Sequence, residues 1–232
     1  MHYYSITYND KNSWEMRIPV KWRPSIPAPE LEQDLVEIPG RDGAMTSRIK
    51  RYLPIVIPIE MNFMESEDRW AEAYRRAKRW LRGSGRLEQS DDDEWFFKVL
   101  KVQIIDSERT SKKIGGFTAE FTCDPYQYRK DGARAYNIGS VINNLYDECH
   151  PIYVITGTGT ATLTVNGHTM SIGVSGKAYI DTDLQIAYDN TDQLINTSAV
   201  GDYEELYLQE GANTITISEG FSLKVIPNWR QR

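Results

Sequence analysis

Hydrophobic positions alternate with polar ones along most of this chain, and in one stretch only do they recur with a helical period. Tyr3–Tyr8 alternates apolar residues with Tyr, Ser and Thr, and Trp14–Val20 follows beyond Asn9-Asp10-Lys11-Asn12, which predicts a β-hairpin with a polar turn. Residues 23–34 contain Pro24, Pro27 and Pro29; each proline fixes φ and removes a donor, so the segment is expected to be an extended arm or loop. Leu35–Ile38 reads as a short strand entering Pro39-Gly40-Arg41-Asp42-Gly43, a turn whose glycines suit φ > 0. Tyr52–Phe63 is β-rich, but Pro54 and Pro58 strip donors from the same side of it, which predicts a strand edge or a bulge.

Ser66–Leu81 is the helical stretch. Ser66 is the expected cap, Glu67 and Asp68 suit the positive end of the dipole, and Trp70, Ala73, Tyr74, Ala77, Trp80 and Leu81 form one apolar stripe. Arg75, Arg76, Lys78, Arg79 and Arg82 crowd its second half, either as a solvated face or as a docking face for phosphate or an acidic partner; Gly83-Ser84-Gly85 ends it. Arg86–Gln89, Glu94–Ile105 and Ile114–Thr122 then read as strands joined by turns at Ser90–Asp93 and Asp106–Lys113.

Beyond Tyr136 the helical period is absent. Short strands are expected at Ile152–Thr156, Ala161–Val165, His168–Ile172, Lys177–Asp181, Gln185–Tyr188, Asn213–Ser218 and Ser222–Pro227, with Asn166-Gly167 as a hairpin turn. The fold class that follows is mainly β: an α+β first domain over residues 1–133, a β-sandwich flanked by one α-helix, and a second β-sandwich over residues 134–232.

Charge sharpens that division. Residues 1–133 hold 22 Lys/Arg and 22 Asp/Glu, whereas the rest of the chain holds 5 and 11, so the whole net charge of −6 lies in the last hundred or so residues. A surface so acidic is a poor nucleic-acid binder. No run approaches the ~18 apolar residues of a membrane span, no signal-peptide pattern is visible, and synthesis in a reducing cytoplasm fits two cysteines, too few for a disulfide framework.

Candidate chemistry is sparse. Cys149-His150 cannot place both side chains on one metal in an ordinary strand and reads as a half-buried Cys beside a loop His. Asp91-Asp92-Asp93-Glu94 reads as a hairpin tip, and Asp181-Thr182-Asp183 and Asp189–Asp192 as solvated loops, with a calcium loop as the alternative. Gly157-Thr158-Gly159 lacks the strand–helix context of a nucleotide site. No catalytic, cofactor-binding or metal-binding residue is assigned, and the chain is expected not to be an enzyme. Six Trp and fourteen Tyr are more informative, because interfaces favour Tyr, Trp and Arg. Trp14, Trp22 and Tyr52 are read either as core or as interface, and Tyr188, Tyr203 and Tyr207 either as core or as a sugar-binding face beside acidic loops.

The ordered motifs add a resemblance. Val36-Glu37-Ile38-Pro39-Gly40-Arg41-Asp42-Gly43, a proline-containing apolar strand, an amphipathic helix ending in Trp80-Leu81 and Gly83-Ser84-Gly85, and Phe121-Thr122-Cys123-Asp124-Pro125-Tyr126 resemble the N-terminal domain of phage distal tail (Dit) proteins. Pro151-Ile152, Thr156-Gly157-Thr158-Gly159, Val165-Asn166-Gly167, Tyr179–Asp183, Gly211–Ile215 and Ile226–Arg230 resemble the C-terminal domain of that family. Residues 1–35 match nothing in it. The resemblance implies a galectin-like second sandwich and a structural virion protein at the distal end of a siphophage tail. In it a homo-hexameric ring joins the tail tube protein to the tail-associated lysin or hub protein, and to receptor-binding proteins or host polysaccharide. On that footing Trp14, Trp22, Arg41, Asp42 and Tyr52 are candidate ring-interface residues, and Tyr188, Tyr203 and Tyr207 a candidate peripheral binding face. A carbohydrate-binding module of the tail tip and a tail-tip hydrolase are the alternatives.

Overall fold

The computed structural model describes residues 3–33, 35–37, 39, 40, 42–46, 51–137, 139 and 141–232, with residues 35–37 and 44–46 as backbone. The chain forms two compact units, Met1–Gln127 with Arg232, and Tyr128–Gln231. The sequence-based division lay a few residues later, after residue 133.

In the first unit, β1 (Ile6–Tyr8) and β2 (Lys11–Asn12) form the hairpin. Asn9 and Asp10 both have positive φ, 48° and 62°, the geometry of a type I′ turn. The expected polar turn is therefore split, two residues turning and two pairing, and Trp14–Val20 is not a strand: it is a turn with Arg17 at φ 57°, returning as a single bridge from Val20 to Met61. The proline arm is neither helix nor strand, as expected, and touches the chain ahead of it through the Leu31–Tyr52 bridge. β3 (Leu35–Glu37) pairs with β4 (Ala44–Thr46); Gly40 and Gly43 between them have φ 84° and 81°, and Ile38 and Arg41 lie outside the described residues.

β5 (Ile55–Met64) shows clean alternation. Ile55, Ile57, Ile59, Met61 and Phe63 are buried while Val56, Pro58, Glu60 and Met64 face out. It is followed by α1 (Trp70–Trp80), β6 (Gly85–Gln89), β7 (Asp92–Glu108) and β8 (Ile114–Arg129), and the sheet runs β5-β8-β7-β6-β1-β2. β5 thus takes an outer position, where prolines do least harm. The helix starts four residues later than the sequence predicted. Ser66 does not cap it; the Ser66 carbonyl accepts from Arg69 N, making a preceding turn, and Arg69 occupies the cap position without a side-chain bond. The predicted stripe holds: Ala73, Ala77, Trp80 and Leu81 are buried, with Trp70 and Tyr74 packed against the same core. Only Ser90-Asp91 form the turn after β6, so Asp92–Glu94 begin a strand. β8 runs on through Pro125, which lies beyond Cys123, the last residue paired to β5, so no ladder bond on that side is lost.

The second unit continues with β9 (Tyr136–Asn137), β10 (Val141–Asn144), β11 (Ile152–Val165), β12 (His168–Asp181), β13 (Ile186–Asp189), β14 (Ala199–Val200), β15 (Gly211–Ile217), β16 (Ser222–Ile226) and β17 (Arg230–Gln231). Four of the expected short strands prove to be two long ones. β11 and β12 form one unbroken hairpin about Asn166-Gly167, whose φ values of 51° and 91° again give a type I′ turn. The glycines taken as breaks sit mid-strand, Gly157 opposite Gly176 and Thr160 opposite Gly173. On one side of this region β11 pairs with β16 and β12 with β13; on the other β11 pairs with β15 and β12 with β14. Both ends bury side chains in one cluster, including Tyr153, Ile155 and Ile180 from one and Leu163, Met170 and Ile215 from the other. The architecture is mainly β, with one large antiparallel sheet built on the first-unit strands and one of eight strands enclosing that second core.

Candidate functional site

In the first unit the candidate aromatics divide between surface and packing. Trp14 is 45% exposed and its ring lies 5.7 Å from that of Tyr3, itself 69% exposed. Trp22, at the start of the arm, is 68% exposed. Asp42 is exposed between β3 and β4, and its neighbour Arg41 lies outside the described residues. Tyr52 is half-buried, edge-on to Tyr126 at 6.1 Å; Arg232, which belongs to this unit, places its guanidinium 5.0 Å from the Tyr52 ring and bonds its hydroxyl. Trp14 and Trp22 thus offer the rigid apolar area that interfaces use, and Tyr52 does so only in part.

The three tyrosines of the second unit do different jobs. Tyr188 stacks on Tyr179 across β12–β13, with centroids 4.9 Å apart and planes 8° from parallel, and Lys177 Nζ lies 5.0 Å from the Tyr179 ring. Tyr203 packs against the core, and its buried hydroxyl has no hydrogen-bond partner among the described residues. Tyr207 stacks on His150, 3.8 Å away.

His150 is the centre of a cluster that sequence reasoning passed over. Its Nδ1 lies 2.8 Å from Asp183 Oδ1, its Nε2 2.8 Å from Arg230 Nη2, and Glu148 Oε1 is 3.8 Å from Nε2. Arg230 Nε donates to the Glu148 carbonyl, Asn228 donates to the His150 carbonyl, and Gln209 donates to the Glu148 carboxylate. Burial works against the charged imidazole and so does Arg230, but Asp183 and Glu148 outweigh them and hold its pKa above the ordinary value. The His150 bond holds Glu148 below the usual carboxylate range. The contacts join residues 33 and 80 positions apart, so no local spacing announces them. The cluster ties the chain's end to three loops and contains no nucleophile.

Cys123 and Cys149 are both buried and free, and burial pushes their thiols up to about 12 and about 11. Neither supplies a thiolate at neutral pH. The acidic loops spend their carboxylates on themselves. Asp189 accepts from Thr191 N, Thr191 Oγ1 and Gln193 N, and Asp181 from Asp183 N and Leu184 N. Asp91 pairs with Arg23 at 2.8 Å. Among the described residues no group of three His, Cys, Asp or Glu is placed to hold a metal ion, and no helix is long and apolar enough to cross a membrane.

No family model matches the sequence, and no curated protein matches it. Among solved structures, the crystal structure of SPP1 Dit (gp 19.1), described as a paradigm of the hub adsorption apparatus in phages infecting Gram-positive bacteria, superposes with a TM-score of 0.67 at 11% sequence identity, covering 99% of each chain. In fold, therefore, this chain is similar from end to end to a phage Dit protein, the family that its ordered motifs resemble.

Proposed function

We propose that this chain is a structural subunit of the distal tail of a siphophage, assembling with copies of itself into a closed ring that links the tail tube to the tail-tip hub. The observation that carries this reading is the full-length likeness to a hub protein, which spans both units rather than one common sandwich. The first unit is its ring-forming part. It carries no net charge, which avoids like-charge repulsion between copies, and it exposes Trp14 and Trp22. The second unit, at −6, is the solvated peripheral part, directed at tail-tip proteins or host polysaccharide. The place of work is the virion, and the chemistry is that of assembly rather than turnover. Electron microscopy of the purified chain with its tail tube protein tests this: annuli with a central hole are expected, and monomers decorating nothing would overturn it. Deleting residues 23–34 tests whether the arm crosses to a neighbour, since an unchanged ring would remove that role.

A second reading is favoured by the stacked Tyr179–Tyr188 pair on the outer side of β12 and β13. Sugars stack on such rings, and acids with Lys177 nearby supply hydrogen-bond partners. Sedimentation of the full chain with host cell walls, lost in Tyr188→Ala, would support carbohydrate attachment; no sedimentation would remove it.

A further inference from the structure

Several cations of the first unit have acidic partners, Arg76 of α1 among them. Lys21 pairs with Glu60, Arg23 with Asp91, Arg51 with Glu32, Arg76 with Glu65 and Lys112 with Glu67. Arg75, Arg79 and Arg82 are exposed and have no ion pair or hydrogen bond from their side chains among the described residues, although the unit holds 21 acidic residues. Arg75 and Arg79 are one turn apart, and Arg82 lies just beyond the helix end, so the three form one edge with Lys78 beside them. The macrodipole explains cations in the last turn only, and Arg75 lies before it. A shallow depression of about 670 Å³ runs along this side of the helix, lined by Ala71, Arg75, Lys78 and Arg79 with Asp68 and Glu72 at its other end.

The complementary charge is on the same polypeptide. The second unit has six basic and twelve acidic residues, and Asp202, Glu204, Glu205 and Glu210 are all exposed within one short segment around Tyr207. Burial raises the Tyr207 pKa, and the negative charges of Glu204, Glu148 and Asp183 add to it. One face of the Tyr207 ring is covered by His150, so the exposed carboxylates are the groups that suit guanidinium partners.

We propose that the Arg75–Arg79–Arg82 edge of α1 is a docking surface for the acidic segment around Tyr207 on the second unit of a neighbouring copy of this chain. This rests on the ring reading and names a contact within it. Beside the ring contacts of the first unit, a basic edge on one unit and an acidic segment on the other give each subunit a further pair of complementary faces, which tie the peripheral part of one copy to the ring-forming part of the next. Such a contact sets orientation and rate of encounter, and it weakens with salt.

The test uses two full-length variants, R75E/R79E/R82E and E204K/E205K/E210K, with R75Q/R79Q/R82Q as a milder form should charge reversal impair folding. Self-association is followed by sedimentation at low and high salt, and rings by electron microscopy. Each reversed variant alone is expected to associate about tenfold or more weakly than the parent, and an equimolar mixture to recover association, because an acidic first face then meets a basic second face. Parent-like association by either variant, or no recovery on mixing while both remain folded, would overturn the proposal and leave the ring reading standing. Absence of any association by the parent at any salt, with no rings on the tube, would instead remove the ring reading. Added polyphosphate that binds the parent but leaves its association unchanged would mark the edge as a polyanion site and overturn the proposal too.

Discussion

The imidazole of His150 lies flat against the phenol of Tyr207, with 3.8 Å between ring centroids and 18° between planes. Stacking fixes the ring's faces while Asp183 and Arg230 fix its edge, so its protonation is coupled to four segments at once. Its pKa is raised above 6.5 by Asp183 and Glu148 against burial and Arg230, so its contribution to stability is fully present below pH 6.5 and is lost as pH rises through the folded value. Glu148, held below 4.5, works in the opposite sense: its contribution is present above pH 4.5 and lost as pH falls through the folded value. The second unit is therefore expected to melt highest between these limits. In scanning calorimetry, His150→Gln should abolish the decline above pH 6.5 and weaken the acid one, because the His150 bond is the chief cause of the low Glu148 value; an unchanged alkaline slope would refute the coupling.

At Gly157 the backbone has φ +156°, and a Cβ would stand 2.4 Å from Phe221 Cδ1. Gly157→Ala is expected to destabilise by ~1–3 kcal/mol, the usual range for forced overpacking. Gly139, where a Cβ meets nothing within 4 Å, is the matched control and should change little on going to Ala. Urea titration of both variants separates close approach from a general effect of removing glycine.

Trp80 locks α1 to the first hairpin. Its ring is 5% exposed, and its Nε1 donates to the Tyr8 carbonyl at 3.1 Å while the Tyr8 hydroxyl donates to the Gly83 carbonyl at 2.9 Å. Trp80→Ala should cost the first unit ~3–5 kcal/mol. Trp80→Phe keeps most of the packing but orphans a carbonyl, so it should cost less. Equal losses in the two variants, measured by denaturation, would show that the ring volume is irrelevant.

Pro58 guards an open edge. Asn62 N donates to the Pro19 carbonyl and Lys21 N to the Glu60 carbonyl, so alternate residues of β5 turn their polar groups away from β8. Pro54 and Pro58 share that side and carry no N–H there. Pro58→Val restores a donor and a β-branched side chain to the stretch of this edge ahead of the Val20–Met61 bridge, and dynamic light scattering should show larger aggregates at equal concentration. A monodisperse variant would mean that the edge is covered by something other than missing donors.

Local chemistry was legible and long-range pairing was not. Asn166-Gly167 announced its turn because two positive φ values in sequence need those residues, and the 3.6 period of Ala73, Ala77 and Trp80 announced the buried stripe of α1. Ser66 misled because a serine before an acidic pair also suits a turn ahead of the helix, which is how the chain uses it. Gly157 and Gly176 misled because a glycine inside a strand looks like a glycine ending one; only their cross-strand register distinguishes a bend from a break. Trp14 and Trp22, read as either core or interface, are exposed, and Tyr203, read as either core or binding face, packs against the core. The His150 cluster had no local signal, because its members converge only once the loops are in place.

β11 and β12 carry the neighbours at both ends of the one large sheet in the second unit. A strand slipped by one residue turns its inward side chains outward. Here such a slip would invert Ile155 and Leu163 together and empty both ends of the core, so neither end can err alone. One hairpin acts as a common spine, and its fidelity in the nascent polypeptide governs whether the entire sandwich closes.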